Sequence, residues 1–308
     1  MKHILITGSS GMLGVDLCQE LKKDYKVCGV DLTYDLPLTT YDFIKCDITK
    51  KQNVLDVVKK VRPDIVIHTA AMTDVDGCEL DPKKAYKINS DGTRNIALAC
   101  KATGATLIYI STDFVFDGKK RTPYKETDSA KPLGVYADSK LKGEEAVRKI
   151  LKKYFILRAS WLYGKHGTNF VDTVLAKSKK EKILKVVDDQ VGSPTYTKDL
   201  ARAIHVLLDN VFVQYTAYSV QRKSTQYAQR STQYGTYHIS NSGSVSWFEY
   251  AKEILRLTGL KAKVLPISSE ELGRPARRPA MSVLDSSKFF KSTGYRMRNW
   301  RAALKEYM

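Results

Sequence analysis

The 308-residue chain has only five cysteines, Cys18, Cys28, Cys46, Cys78 and Cys100, with no CxxC pair among them. An odd count at wide spacing argues against a disulfide framework and fits a reducing cytosol. The five histidines are scattered, none beside a cysteine pair, so no zinc site is expected. No apolar run approaches the roughly 18 residues of a membrane span, and none is expected. Met1–Thr7 runs straight into a strand and a glycine turn, without the look of a signal peptide. No repeat of solenoid period is visible.

What the chain has in excess is positive charge, +18 net. Its lysines fall in thin doublets such as Lys22–Lys23, Lys59–Lys60 and Lys179–Lys180. Doublets at helical spacing read as solvated faces, so no nucleic-acid partner is expected. Attraction for anionic, nucleotide-linked ligands is compatible with the same charge.

Short β-rich runs alternate with helical patterns through the first half. Strands are expected at His3–Thr7, Tyr25–Val30, Asp64–Thr69, Thr106–Ser111 and Tyr154–Ala159. Helices are expected at Val15–Lys22, Asp47–Val61, Pro82–Gly104 and Ser139–Lys152. This is the βαβ signature, and continuous apolar runs imply strands covered on both faces. The fold expected is α/β, a Rossmann-type doubly wound parallel sheet with a smaller C-terminal substrate-binding lobe. Residues 1–165 would form mainly the dinucleotide domain, and 166–308 mainly the lobe, with segments returning to the sheet. In the second half, helices are expected at Asn169–Lys180, Thr197–Leu208, Ser246–Gly259 and Asn299–Tyr307, with strands at Ile183–Val187 and Tyr237–Ser240. Residues 212–234, rich in Gln, Ser, Thr and Tyr with a near-repeat of QRKSTQY, read as a surface excursion.

Gly8, Gly11 and Gly14 form GxxGxxG directly after the first strand. The first permits a tight turn, the second lets backbone approach a pyrophosphate, and the third packs helix on sheet. The helix then presents free N–H groups to phosphate. Asp31 closes the second strand, where an acid can bond ribose hydroxyls and repel a 2′-phosphate. No Arg or Lys immediately follows it, so NADH should serve at least as well as NADPH. Tyr136 and Lys140 are i and i+4, sharing a helix face. A tyrosine can donate a proton to a carbonyl oxygen, and a nearby ammonium lowers the cost of that donation. Ser111, Thr112 and Asp113 end a strand, where α/β folds place their ligands. Thr112 could hold the carbonyl.

ITGSSGMLG (6–14), HTAAMTDVDGCE (68–79), NSDGTRNIA (89–97), STDFVFDG (111–118), YADSKLKGE (136–144), RASWLYG (158–164), VVDDQVGSPTYTKDLA (186–201) and GRPARRPAMSVLDSSKF (273–289) carry a wider likeness. The chain resembles the extended short-chain dehydrogenases/reductases, and within them the dTDP-4-dehydrorhamnose reductases. The resemblance implies a Thr112, Tyr136 and Lys140 catalytic set. It implies a cofactor site built from Gly8, Ser10, Gly11, Met12, Leu13, Gly14, Asp31, Asp47, Ile48, Ala70, Ala71 and Met72, completed by Tyr136 and Lys140. It places Thr112, Asp113, Phe114, Trp161 and Asn169, with neighbouring Phe170 and Val171, on the substrate side. Arg274 and Arg278 would approach the nucleotide diphosphate, which suits an arginine fork; which of Arg274, Arg277 and Arg278 makes contact stays open. The implied partner is a dTDP-linked 4-keto-6-deoxyhexose, reduced by NADH or NADPH in the cytoplasm. A homodimer is a family expectation, and magnesium stays open because no sequence feature marks a metal site. Phe114 stands where the family often has tyrosine, and Ala137 where it often has glycine. Rival readings are another nucleotide-sugar epimerase, dehydratase or reductase of the fold, and a regulatory subunit resembling that of methionine adenosyltransferase.

Overall fold

In the computed structural model the described residues are 1–33, 41–216 and 233–308. Apolar runs of the first half become β1 (His3–Thr7), β2 (Lys26–Asp31), β3 (Asp42–Lys45), β4 (Ile65–His68), β5 (Thr106–Thr112) and β6 (Tyr154–Ala159). Between them run α1 (Met12–Leu21), α2 (Lys51–Val61), α3 (Val75–Leu80), α4 (Pro82–Tyr86), a π-helical turn (Lys87–Gly92), α5 (Thr93–Thr103) and α6 (Val135–Ile150). The second half contributes β7 (Leu162–Tyr163), α7 (Phe170–Ser178), β8 (Ile183–Val187), β9 (Val191–Gly192), β10 (Thr195–Tyr196), α8 (Thr197–Thr216), β11 (Gly235–His238), β12 (Val245–Ser246), α9 (Trp247–Thr258) and β13 (Lys263–Ile267). The short helices α10 (Ser269–Leu272) and α11 (Ser287–Thr293) precede the last, α12 (Trp300–Tyr307).

Seven strands form one sheet in the order β11-β6-β5-β4-β1-β2-β3, every neighbouring pair parallel. Chain order reverses at β1, flanked by β2 and β4, so a crevice opens at their carboxyl ends. Alternate residues feed opposite cores. Ile4 and Ile6 pack with Leu17, Leu21, Leu200 and Leu207 of α1 and α8. Leu5 packs with Val54, Ile96 and Val147 of α2, α5 and α6. A third core of Tyr163, Tyr250, Trp300 and their neighbours holds the lobe together.

Several local expectations change; helix α6 starts at Val135 rather than Ser139, and the helix expected over Pro82–Gly104 is split by the π-helical turn. Strand β3 was not foreseen; its four residues, DFIK, are only partly buried at the sheet edge and carry little pattern. Helix α2 starts at Lys51 because Asp47 accepts from the Thr49 amide at 2.9 Å and its hydroxyl at 2.7 Å, which makes Asp47–Lys50 a turn. Helix α8 passes through Asp209–Asn210 to Thr216. Asn210 donates back to the Val206 carbonyl at 2.8 Å, and Asp209 accepts from Tyr25 at 2.8 Å, so neither terminates the helix. The expected excursion at 212–234 therefore begins as helix; its residues 217–232 lie outside the described residues.

Candidate active site

The glycine turn sits at the carboxyl end of β1. Gly8 has φ +71, and a Cβ there would come within 2.6 Å of the Ala70 nitrogen, so both conformation and space require glycine. A Cβ on Gly14 would collide with the Gly8 carbonyl, which holds α1 tight against the turn. Leu13 and Gly14 are buried, whereas Ser10 and Met12 stay partly exposed beside Gly11. The Ser10 amide donates to Asp31 Oδ2 at 3.0 Å and the Leu32 amide to Oδ1 at 2.8 Å. The acid is thereby fixed beside the turn. Asp47 and Ile48 follow β3, whose end lies next to β2 through the Cys46 amide and the Asp31 carbonyl at 2.9 Å. Ala70, Ala71 and Met72 leave the end of β4. A cradle with this spacing fits an extended dinucleotide: amides at the turn, an acid at the next strand end and a loop closing the far side.

Thr112 ends β5 and Tyr136 lies in the first turn of α6. Tyr136 and Phe114 meet edge to face with ring centroids 6.1 Å apart. Val75, Phe114, Leu133, Gly134, Tyr136, Ala137, Arg277 and Pro279 line one cleft. The Thr112 hydroxyl accepts from the Phe114 amide at 3.2 Å and donates to Asp113 Oδ1 at 3.2 Å. Burial pushes the Asp113 carboxyl up to about 7, against the opposing pull of its hydrogen bonds. Burial also raises the Tyr136 phenol, while Thr112 favours the phenolate. One turn on, Lys140 is buried; its Nζ donates to the Ile110 carbonyl at 2.7 Å and lies 4.3 Å from the Tyr109 ring centre. Burial lowers its ammonium to about 7, with Glu144 pulling the other way. A phenol kept protonated at the edge of a cleft, with a buried lysine one helical turn on, has the chemistry of a proton donor for a developing oxyanion.

Several supports escaped the sequence reading. Asn89, buried on the π-helical turn, accepts from the Met72 amide at 2.8 Å and donates to the Met72 carbonyl at 3.1 Å and to Ser139 at 3.0 Å. It thus ties the cofactor-side loop to α6. Glu144 accepts from Ser111 at 2.6 Å and from Arg158 Nε and Nη2 at 2.8 and 2.7 Å. This buried pair joins α6 to β5 and β6 beneath Lys140. Its signal was available, since Glu144 is four residues past Lys140 on the same helix face.

The remaining expected residues are placed differently. Trp161 adopts φ +46, the left-handed region unusual for a tryptophan, and stacks on Trp247 with centroids 3.5 Å apart and planes 3° from parallel. Phe170 packs on the same Trp247 at 4.4 Å. Asn169 caps α7: its Oδ1 accepts from the Asp172 amide at 3.0 Å, and its Nδ2 donates to the Gly164 carbonyl at 2.9 Å. Its amide is occupied within the lobe and is not brought to Tyr136. Arg274 and Arg278 both reach Asp76, at 2.8 and 3.0 Å.

The whole chain, residues 1–308, matches the family described as "RmlD substrate binding domain". A dTDP-4-dehydrorhamnose reductase of Aggregatibacter actinomycetemcomitans is 35% identical over 314 residues, covering 99% of this chain and 98% of that protein. The chain belongs to the dTDP-4-dehydrorhamnose reductase family. Another relative, the spore coat polysaccharide biosynthesis protein SpsK of Bacillus subtilis, is 40% identical over 309 residues, covering 100% of this chain and 97% of that protein. A solved dTDP-4-dehydrorhamnose reductase from Clostridium acetobutylicum superposes with a TM-score of 0.85 at 40% identity, covering 99% of this chain and 98% of that one. One from Bacillus anthracis, in complex with NADP, gives 0.83 at 39% identity, covering 100% and 99%. Membership makes the chain an NAD(P)-dependent oxidoreductase of the extended short-chain dehydrogenase/reductase type. Among the described residues, no helix is long and apolar enough to cross a membrane.

Proposed function

We propose that the protein reduces the C4 ketone of dTDP-4-dehydro-β-L-rhamnose to dTDP-L-rhamnose, with NADH or NADPH as reductant. The observation that carries this is the Thr112 hydroxyl set beside Tyr136, which lines the cleft, with Lys140 buried one turn on, in a chain of this family. When bound, the nicotinamide supplies the hydride. The chain does the rest. The Gly8–Gly14 turn and Asp31 hold the dinucleotide, and Ala70–Met72 closes its far side. Thr112 orients the ketone oxygen. Tyr136 gives that oxygen its proton as negative charge develops on it, and Lys140 stabilises the phenolate left behind. Trp161 walls the deoxysugar side.

Asp31, held by two backbone amides, favours ribose hydroxyls over a 2′-phosphate, so NADH should serve at least as well as NADPH. The five cysteines are free and buried, which supports a reducing compartment, and we place the reaction in the cytoplasm. The test is turnover of the dTDP-4-keto sugar with each cofactor in turn. Stoichiometric NADH oxidation is expected. Sugar conversion without net cofactor consumption would instead mark an epimerase, and a preference for NADPH beyond about tenfold would overturn the Asp31 reading.

A further inference from the structure

We infer that Glu79 is the positioning residue for the proton donor: reaching across from α3, it stands in for the N-cap side chain that α6, the helix of Tyr136, lacks. This rests on the reading of Tyr136 as proton donor given above. The N-cap of α6 is Gly134, with extended backbone at φ −148 and ψ 172 and no side chain to accept from the amides of the first turn. Tyr136 is the second residue of that turn. The Val135 amide instead donates to Glu79 Oε2 at 2.9 Å, on a residue 56 positions back in the chain. A Cβ on Gly134 would meet the same Oε2 at 3.0 Å, ahead of the Arg277 carbonyl at 3.6 Å. Glu79 therefore occupies the space that a capping side chain at 134 would fill. An acidic side chain at a helix N-terminus also suits the dipole there.

Glu79 is itself held in place by its own element. Asp74 caps α3, its Oδ1 accepting from the Gly77 amide at 3.0 Å, and Cys78 is buried with Sγ 3.5 Å from the Met72 carbonyl. Asp81 then starts α4 by accepting from the Lys84 amide at 3.0 Å. Val75 and Glu79 are i and i+4 on α3 and share a face. Val75 lines the cleft with Gly134 and Tyr136, and Glu79 closes the join between the two helices. Residues further along α6 have ties of their own. Tyr86 donates to Asp138 Oδ2 at 2.5 Å, and Ser139 donates to the Tyr136 carbonyl at 2.8 Å. The start of the turn, beside Tyr136, is tied to Glu79. Helix ends loosen first because their amides lack intrahelical partners. A reacting group displaced by about 1 Å can lose on the order of 10²-fold in rate. A cap supplied from α3 thus fixes the donor to a neighbouring wall of its cleft.

The test uses the full-length protein with the dTDP-4-keto sugar and NADH, reading the single-turnover rate of NADH oxidation beside KM, NADH affinity and Tm. Glu79→Ala should slow the single-turnover rate about 10- to 100-fold. KM and NADH affinity should change less than about threefold, because the lost contact acts on the reacting step. Glu79→Gln keeps an acceptor oxygen and should stay within about threefold of wild type. Glu79→Asp, shorter by one methylene, should fall between the two and carries the test if Glu79→Ala does not fold. Gly134→Ser in the Glu79→Ala background puts a capping hydroxyl into the vacated space and should recover most of the lost rate. In a Tyr136→Phe background, Glu79→Ala should slow the residual rate less than about threefold, because it acts through that phenol. A Glu79→Ala protein with a lowered Tm and an unchanged single-turnover rate would overturn the assignment and leave the reductase reading intact. So would a Glu79→Gln protein as slow as Glu79→Ala, or an equal loss with and without the Tyr136 hydroxyl. Full single-turnover activity in Tyr136→Phe would overturn both.

Discussion

The sheet half and the lobe are built on different physics. The sheet half is a layered apolar core whose polar groups sit at strand ends or in closed networks, such as Glu144 with Ser111 and Arg158. The lobe has three two-stranded pairings and a core rich in stacked aromatics, from Trp161 on Trp247 to Tyr163 on Tyr196. Parallel strands buried on both faces are locked by close packing against the helices of both layers, so groups at their ends are held firmly. Short strand pairs joined by loops are held by side-chain stacks and ion pairs. On the proposed function, bond-making chemistry falls to the first region and substrate choice to the second.

The sharpest way to break this division is Tyr136→Phe. It keeps the ring against Phe114 and removes only the proton donor. We expect kcat to fall by roughly 10²–10⁴-fold, with NADH affinity changed less than about threefold. Thr112→Val should cost less, since that hydroxyl positions rather than donates. Steady-state kinetics beside cofactor titration reads both, and a folded Tyr136→Phe enzyme keeping about a third of wild-type kcat would end the assignment unless product release limits the wild type.

The same strand end should govern pH dependence. Asp113 and Lys140 both stand near 7, the acid pushed up and the ammonium pulled down by burial. Both are in their protonated, donor-ready forms below that value, so kcat/KM should decline as pH rises through it. Asp113→Asn fixes a neutral donor beside Thr112. If its pH profile loses the decline, the limb belongs to Asp113; if the limb persists, it belongs to Lys140.

On the lobe side, Trp247→Leu removes the face on which Trp161 rests. The KM for the nucleotide sugar should rise about two- to tenfold, the worth of one aromatic pair, with kcat nearly unchanged. A comparable loss in kcat would show that the lobe takes part in the chemistry and would erase the distinction.

The smallest effect expected is on stability. Lys140 has its ammonium lowered from 10.5 to about 7 by burial, so carrying charge there opposes folding. Lys140→Met should raise Tm by a few degrees while abolishing turnover. Between pH 7 and 10.5 the unfolded wild-type chain binds more protons at this site, so wild-type stability gains as pH rises. The advantage of Lys140→Met should thus be largest below pH 7 and fade toward 10.5. A melting temperature lowered at pH 6 would count against a penalty stored at this lysine.

What could be read without coordinates is what local pattern encodes. Continuous apolar runs alternating with amphipathic helices specify parallel strands covered on both faces, and the glycine loop with Asp31 at the next strand end points to the doubly wound arrangement. GxxGxxG between strand and helix, Asp31 at the next strand end and the four-residue spacing of Tyr136 and Lys140 are likewise local, since each needs only the geometry of its own element. Boundaries were weaker where a side chain rewrote the backbone, as Asp47 did at α2 and Asn210 did within α8. Only the tertiary structure could decide that Arg274 and Arg278 meet Asp76, that Trp161 leans on Trp247, that Asn89 ties Met72 to Ser139, and that Gly235–His238 returns to extend the sheet beside β6. These contacts join residues far apart in the chain, where no periodicity reaches. Their partners are selected by how the layers pack, and an arginine's charge says nothing about which distant carboxylate will neutralise it.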